Sequence, residues 1–336
     1  MRHPRVGFDS YDVVVSISPP HRADEPGKNP GGPPTERVTL KTLQRMASAG
    51  SPFACLTCYD ATSARWLERA GVHVLLVGDS AAEVVLGFSR TIDMPLDVAL
   101  ALTAGVKRGG PRTLVMGDMP FLSYQAGADD AVRNAGRFLV EGLADVVKIE
   151  ADETYAPLVR RMTHAGIPVC AHVGSRPQHA ALSGGYGPAG RTAEQALRII
   201  DDAVALEDAG AVLLLVEAVP DEVTERILRA TKVPVIGIGA GTACHGQVLV
   251  LQDLLGMTDT VPRFAEAAAA VGATIREAGE EWVRRVSRRE IGGRRYTMTE
   301  TEAAKLNGGK PPSNPAPVVR ITKPHGSASE SGSAAD

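Results

Sequence analysis

Eight short apolar runs that alternate with helical segments constrain the fold of this chain more than any other feature. The runs span residues 53–59, 74–77, 113–116, 146–149, 168–171, 212–216, 233–236 and 247–251. Segments with helical periodicity lie between them, at 61–70, 96–107, 129–141, 155–164, 193–209 and 221–230. Strands that are apolar on both faces and joined by helical crossovers are typical of parallel sheets. Eight such strands favour a closed (β/α)8 barrel over an open doubly wound sheet, and only a short glycine-rich connection follows the seventh.

Both ends of the chain have a composition that disfavours a packed core. Residues 19–34 contain six prolines and three glycines, and Gly, Pro and Ser make up 14 of the 30 residues from Asn307 onward. Such segments bury too little apolar surface to offset the conformational entropy lost on folding. We therefore predict a disordered arm at 1–37, a catalytic barrel at 38–300 and a disordered tail at 301–336.

Charge and hydropathy exclude several kinds of partner. The net charge is −3 and the chain has only two Trp, six Tyr and six Phe, whereas a nucleic-acid surface needs a basic stripe and stacking rings. No run of 18 apolar residues is present, and the first 30 residues lack the apolar segment of a signal peptide. We expect no nucleic-acid or membrane partner and a cytoplasmic location.

Polar side chains follow five successive predicted strands at their carboxyl ends. In chain order they are Asp79 and Ser80, Asp118, Lys148 and Glu150, His172, and Glu217. Barrel enzymes place their active sites at this end of the strands. Because burying such groups without a function would cost several kcal/mol each, the set predicts an active site.

The residue types at these strand ends indicate enolate chemistry. Asp79, Asp118 and Glu150 supply hard oxygen ligands, which suit Mg²⁺, without a matching Cys or His cluster. Mg²⁺ can hold a 2-oxo acid through its carboxylate and ketone and stabilise the enolate formed on proton loss. Glu217 follows a strongly apolar strand, so desolvation is expected to raise its pKa into the range of a general base. Lys148 and His172 could hold the anionic end of the substrate.

The same residues resemble the ketopantoate hydroxymethyltransferase (3-methyl-2-oxobutanoate hydroxymethyltransferase) family. The resemblance runs from about Cys58 to Phe264 and is specific because many motifs contribute to it. They are Thr57-Cys-Tyr-Asp60, Leu76-Val-Gly-Asp-Ser80, Asp118-Met-Pro-Phe-Leu-Ser-Tyr124, Val147-Lys-Ile-Glu150, His172-Val-Gly, Pro177-Gln178, Gly184-Gly-Tyr186, Gly190-Arg191, Glu217-Ala-Val-Pro220 and Pro234-Val-Ile-Gly-Ile-Gly-Ala-Gly241.

The resemblance implies a (β/α)8 barrel of the phosphoenolpyruvate/pyruvate-like superfamily type, commonly a homo-decamer. It implies Mg²⁺-dependent transfer of a hydroxymethyl group from 5,10-methylenetetrahydrofolate to 3-methyl-2-oxobutanoate, a step of pantothenate biosynthesis. By this resemblance Asp79 and Asp118 match the metal ligands, and Glu150 matches a further carboxylate of the metal shell. Ser80, Lys148 and His172 match the keto-acid contacts, to which Asp79 also belongs. Glu217 matches the base.

Six places depart from the usual family pattern. Glu83 stands where the family usually has Met, Leu102 replaces His, and Ala151-Asp152 replaces a glycine pair. Ser175-Arg176 replaces Leu-Thr, Ala189 replaces Gln, and His245 replaces Asp. These changes fall largely in βα-loops, where barrel enzymes vary their specificity. The chain is therefore also compatible with a specialised homologue that acts on another 2-oxo acid, with Arg176 recognising an added anionic group.

Two further alternatives stay open at this point. A lyase or mutase of the phosphoenolpyruvate mutase/isocitrate lyase type would also use Mg²⁺ enolates, but the Lys-Lys-Cys-Gly-His loop of that group has no equivalent here. A non-catalytic barrel is disfavoured because the acid, base and metal residues are all present.

Overall fold

The computed structural model describes residues 36–293, 295–306 and 308. Nearly all of the predicted arm at 1–37 and most of the predicted tail at 301–336 lie outside these residues.

Eight parallel strands form a closed barrel in which each strand pairs with the next along the chain and β8 pairs with β1. The strands are β1 Phe53–Thr57, β2 Val74–Val77, β3 Leu114–Asp118, β4 Val146–Glu150, β5 Val169–Gly174, β6 Leu213–Glu217, β7 Val235–Ile238 and β8 Gly246–Leu249. The predicted (β/α)8 barrel is therefore confirmed.

Alternate strand residues pack into two separate cores. Val74, Leu76 and Met116 belong to the cluster inside the barrel, together with Leu43. Their strand neighbours, such as Leu75, belong to the cluster that also contains side chains of the surrounding helices. Because successive strand residues point to opposite faces, strands buried on both sides must be apolar throughout.

The helices form the outer layer, and all six predicted ones are present. They are α2 Ala61–Arg69, α4 Leu96–Gly109, α5 Ala128–Val140, α6 Ala156–His164, α8 Ala193–Asp208 and α9 Asp221–Ala230. The further helices are α1 Leu40–Ser48, α3 Ala81–Val84, α7 Ala180–Ser183, α10 Leu251–Leu254, α11 Val271–Ser287 and α12 Glu300–Leu306. No helix separates β7 from β8, as the short glycine-rich connection predicted.

Local capping explains where several helices begin. The Asp60 carboxylate accepts the backbone N–H groups of Thr62 and Ser63, both at 2.8 Å, at the start of α2. At the start of α8, the Thr192 hydroxyl accepts the backbone N–H of Gln195 at 3.3 Å. These side chains satisfy donors that the first helical turn cannot pair internally.

The chain divides into two compact units after Arg276. The first holds the barrel, and the second begins at Glu277 within α11 and includes α12. Residues 301–306, which belong to the predicted tail, lie in helix α12. Their Glu, Ala and Lys residues are good helix formers. The boundaries at 37 and 300 stay predictions. None of the described helices is long and apolar enough to cross a membrane.

Candidate active site

A single cavity at the carboxyl ends of the strands, here called the central cavity, brings together all seven predicted site residues. Its volume is about 760 Å³. Its lining includes Asp79, Ser80, Asp118, Lys148, Glu150, His172 and Glu217. The strand-end pattern in the sequence therefore located one site rather than separate surface groups.

A buried ion pair between Lys148 and Asp118 lies in this cavity. Lys148 Nζ is 2.6 Å from Asp118 Oδ1, and the two side chains are 5% and 2% exposed. Burial raises the pKa of Asp118 to about 7 although Lys148 opposes the shift. Burial alone would lower the pKa of Lys148, but the surrounding carboxylates, Asp118 first, outweigh it and raise the pKa. Lys148 therefore stays charged at neutral pH.

Glu150 and His172 face each other with unused hydrogen-bonding atoms. One carboxylate oxygen of Glu150, Oε2, accepts the backbone N–H of Gln178 at 3.0 Å. The other oxygen and both ring nitrogens of His172 are buried without a hydrogen-bond partner among the described residues. Burial, helped by Lys148, lowers the pKa of His172 to about 3, so its ring is neutral. Buried polar atoms without a protein partner point to an ordered water, a bound ion or a catalytic role.

Glu217 is partly buried and is the most accessible of the four acids at the strand ends. Its side chain is 22% exposed, and its Oε2 lies 3.3 Å from His172 Nε2 without the alignment of a hydrogen bond. Burial raises the pKa of Glu217 to about 7, although Lys148 counteracts the shift. This is the direction that the apolar strand before Glu217 predicted.

Gln178 connects the carboxylates of the site, and sequence reasoning assigned it no role. It is buried in the turn Pro177–His179 after β5. Its Nε2 donates to Asp79 Oδ2 at 3.0 Å and to the Met119 carbonyl at 3.1 Å. Its Oε1 accepts the Tyr124 hydroxyl at 2.8 Å, while its backbone N–H holds Glu150. The only available signal was its place in the Pro177-Gln178 motif.

Ser80, another predicted substrate contact, adjoins a buried tyrosine. Its Oγ lies 2.8 Å from the Tyr59 hydroxyl. Tyr59 is 4% exposed, so this hydrogen bond fixes the Ser80 side chain at the cavity wall.

The structure does not assemble the three predicted metal-binding carboxylates into a metal centre. Within residues 36–293, 295–306 and 308, no group of three or more His, Cys, Asp or Glu side chains is arranged to hold a metal ion. Lys148 donates a hydrogen bond to one carboxylate oxygen of Asp118, and the backbone N–H of Gln178 donates one to a carboxylate oxygen of Glu150. The assignment of Asp79, Asp118 and Glu150 to a metal site stays a prediction.

The donor chemistry of the cavity nevertheless fits a divalent cation. Seven Asp or Glu residues line it, and Lys148 is the one lysine or arginine among its lining residues. Asp79 and Asp118 are adjacent, since the Asp79 backbone N–H donates to Asp118 Oδ2 at 3.1 Å. A hard cation held by carboxylate oxygens would neutralise this excess of negative charge.

A second cavity, here called the lateral cavity, lies on the loops after β4 and β5 and on α8. Its volume is also about 760 Å³, and Asp152, Arg176, Gln195, Arg198 and Asp202 are among its lining residues. Arg176 Nη1 is 2.6 Å from Asp152 Oδ2, so its charge is already paired. Arg176 lines this cavity and not the central one, although Tyr186 lines both. Its contact with a substrate stays a prediction.

The six departures from the family pattern separate between the two cavities. Of the six departures, only Glu83 is among the lining residues of the central cavity. Three departures line the lateral cavity, through Ala151, Asp152, Ser175, Arg176 and Ala189. The other two lie outside both cavities: Leu102 packs in the outer core, and His245 Nδ1 accepts the Val235 backbone N–H at 3.1 Å.

Comparison with solved structures supports the barrel. A phosphonopyruvate hydrolase solved in complex with oxalate and Mg²⁺ matches with a TM-score of 0.51 at 14% identity, covering 80% of this chain and 94% of that one. A 2,3-dimethylmalate lyase, described as a phosphoenolpyruvate mutase/isocitrate lyase superfamily member, matches with a TM-score of 0.51 at 19% identity, covering 80% and 93%. At these identities the likeness shows the shared fold.

Sequence comparison identifies the family. The ketopantoate hydroxymethyltransferase family model matches residues 37–293. The 3-methyl-2-oxobutanoate hydroxymethyltransferase of Methylococcus capsulatus is 44% identical over 264 residues, which cover 79% of this chain and 98% of that protein. That of Carboxydothermus hydrogenoformans is 42% identical over 265 residues, covering 79% and 96%. The chain therefore belongs to the ketopantoate hydroxymethyltransferase family of enzymes.

Proposed function

We propose that the chain catalyses Mg²⁺-dependent transfer of a hydroxymethyl group from 5,10-methylenetetrahydrofolate to the enolate of a 2-oxo acid. The first candidate acceptor is 3-methyl-2-oxobutanoate, which gives 2-dehydropantoate, because the relatives carry the name of that reaction. The observation that carries the proposal is the Glu217 carboxyl, which lines the central cavity, has no hydrogen-bond partner among the described residues, and has its pKa raised to about 7.

Glu217 acts as the general base. A carboxylate with a pKa near the working pH is substantially ionised, yet basic enough to take up a proton during the reaction. It removes the proton from the carbon beside the ketone, and the electrons of that C–H bond form the enolate. His172 is neutral, so it does not hold Glu217 in an ion pair.

Asp79 and Asp118 are the residues that would hold Mg²⁺, with Glu150 beyond them. When bound, the ion supplies Lewis acidity at the ketone oxygen and neutralises negative charge as the enolate forms. Gln178 holds the Asp79 side chain through its amide and Glu150 through its backbone. Lys148 keeps its charge beside Asp118, and Ser80 and His172 offer polar atoms to the carboxylate end of the substrate.

The second half of the reaction joins the enolate carbon to the one-carbon unit of the folate. A new C–C bond forms, both bonds from the one-carbon unit to N5 and N10 of the folate break, and water supplies the oxygen of the hydroxyl group. The proton that leaves the 2-oxo acid and one proton of the water end on the two folate nitrogens. Because the enolate carbon must meet the one-carbon unit of the folate, the central cavity has to hold both substrates at the same time.

Deuterium exchange tests the first half-reaction without the folate. We expect the proton beside the ketone of 3-methyl-2-oxobutanoate to exchange in D₂O with Mg²⁺, as followed by NMR, and to stop exchanging in Glu217→Gln. Exchange limited to another 2-oxo acid would redirect the substrate assignment to a specialised homologue. If none of a panel of 2-oxo acids exchanges, the enolate mechanism is wrong.

The lyase or mutase alternative has the fold alone in its favour, since the solved barrels of that type are 14–19% identical to this chain. Cleavage products in the same NMR spectra would reveal it. The cytoplasmic location and the homo-decamer stay predictions.

A further inference from the structure

Glu83 is a charged residue of the central cavity that the reaction described above does not use. It lies on α3, four residues after Asp79, and its half-buried side chain lines the cavity wall. Its carboxylate is partly removed from water but has no hydrogen bond or salt bridge within the described part of the chain.

The surroundings of Glu83 make its charge unfavourable in the absence of a ligand. The two charged groups that act on it most are Asp79 and Asp253, both of the same sign. Lys148, the one lysine or arginine in the lining of the central cavity, pairs with Asp118 at 2.6 Å. A carboxylate that loses water and gains no donor is destabilised, and repulsion by like charges adds to this. A donor from outside the chain would relieve both effects.

We propose that Glu83 accepts a hydrogen bond from an N–H or O–H group of a substrate and so determines which ligand the central cavity prefers. This inference rests on the proposed function, which puts a 2-oxo acid and a folate in this cavity. Two groups have the required chemistry: a hydroxyl or amino group on the side chain of the 2-oxo acid, and the amino-pyrimidinone edge of the folate pteridine. The isopropyl group of 3-methyl-2-oxobutanoate offers no such donor.

Binding measurements distinguish these two sources without relying on turnover. Calorimetric titrations in the presence of Mg²⁺ would use three probes: 3-methyl-2-oxobutanoate, 4-hydroxy-2-oxobutanoate and tetrahydrofolate. The variants are Glu83→Met and Glu83→Gln, with Glu222→Met as a matched control, because Glu222 is exposed on α9 and lines neither cavity.

We expect Glu83→Met to weaken binding of one donor-bearing probe at least tenfold, since a hydrogen bond to a charged acceptor is lost. Glu83→Gln should lose less, because its amide oxygen still accepts, and 3-methyl-2-oxobutanoate should bind within twofold of the native affinity. A loss confined to the hydroxy acid assigns the donor to the 2-oxo acid. A loss confined to tetrahydrofolate assigns it to the pteridine.

The proposal is overturned if Glu83→Met and Glu222→Met bind both donor-bearing probes within twofold of the native protein, or if the native protein binds neither. Thermal unfolding by circular dichroism verifies that each variant is folded. Failure of the proposed function has a different signature, namely no deuterium exchange with any 2-oxo acid, and leaves the binding comparison intact.

Discussion

The central and lateral cavities have similar volumes but are built from different parts of the barrel. The central cavity takes most of its charged groups from the carboxyl ends of β2 to β6, where all of them except Glu217 are buried. The lateral cavity takes its charged groups from loops and from α8, where they are at least partly exposed. Three of the six departures from the family pattern line the lateral cavity, against one in the central cavity.

Desolvation explains this difference. A buried charge needs partners at fixed positions, because each unpaired one costs several kcal/mol. The central cavity meets this need with a chain of hydrogen bonds that runs from Lys148 through Asp118 and Asp79 to Gln178. Partly exposed pairs such as Arg176–Asp152 are worth at most about 1 kcal/mol, since water screens them. Replacing a charged residue of the lateral cavity therefore costs little folding free energy. Replacing one in the central cavity leaves buried hydrogen-bonding partners unpaired and costs more.

Removing the base gives the largest expected contrast between the cavities. We expect Glu217→Gln to slow deuterium exchange at the 2-oxo acid by roughly 10²–10⁴-fold, the usual contribution of a positioned general base. Gln keeps the shape of the side chain but cannot take up the proton. Gln195→Leu in the lateral cavity is the matched control and should exchange at the native rate. A loss below tenfold in Glu217→Gln would assign the base to another residue.

Disturbing the amide that joins the carboxylates should have the next largest effect. We expect Gln178→Leu to weaken Mg²⁺ binding by roughly 10–100-fold, because residues that orient metal ligands contribute about this much to affinity. Asp79 loses the donor that holds its Oδ2 at 3.0 Å. Calorimetric titration of Mg²⁺ into Gln178→Leu and Gln195→Leu measures the effect, and equal affinities in the two variants would contradict it.

The raised pKa of Glu217 predicts a pH-dependent effect on stability. The folded protein favours the neutral carboxyl, so this group stabilises the fold below the ordinary pKa of a glutamic acid. That contribution is lost as the pH rises through about 7. In Mg²⁺-free buffer, Glu217→Gln should unfold a few degrees above the native protein at pH 8, and the difference should shrink towards pH 5. A constant difference across this range would show that the carboxyl is not perturbed.

The smallest effect is expected for the ion pair of the lateral cavity. We predict that Arg176→Leu changes the free energy of unfolding by about 1 kcal/mol or less and leaves the 2-oxo acid profile of the exchange reaction unchanged. Thermal unfolding and the exchange assay measure the two quantities. A changed preference for anionic 2-oxo acids would support the hypothesis that Arg176 contacts substrate, and would make the two cavities parts of one site.

The sequence was most informative where buried strands dictate both pattern and position. Runs such as 74–77 coincide with their strand, because a strand buried on both faces must be apolar from end to end. The same rule placed Glu217 at a strand end and so in the cavity. Strand limits were less certain, since β5 continues to Gly174, past polar His172.

Contacts between loops could not be read from local patterns. Gln178 reaches Asp79, 99 positions away in the chain, and nothing near either residue in the sequence encodes that contact. The pairing of Arg176 with Asp152 could not be predicted for the same reason. The occupation of one Asp118 oxygen by Lys148 likewise depends on the register of β3 against β4.

The pairing of β1 with β8 determines when during synthesis a site of this kind can exist. Phe53 pairs with Gly246, where any side chain would overlap the phenylalanine ring, and the Leu251 backbone N–H donates to the Thr57 hydroxyl at 2.9 Å across 194 positions. Contacts so distant in the chain form slowly, and domains emerge from the ribosome from the N-terminus onward. The strands that bear Asp79 to Glu217 therefore leave the ribosome before the strand that closes the ring. Until β8 arrives, the nascent chain has an unpaired sheet edge at β1, which makes this interval the one in which aggregation competes most with folding.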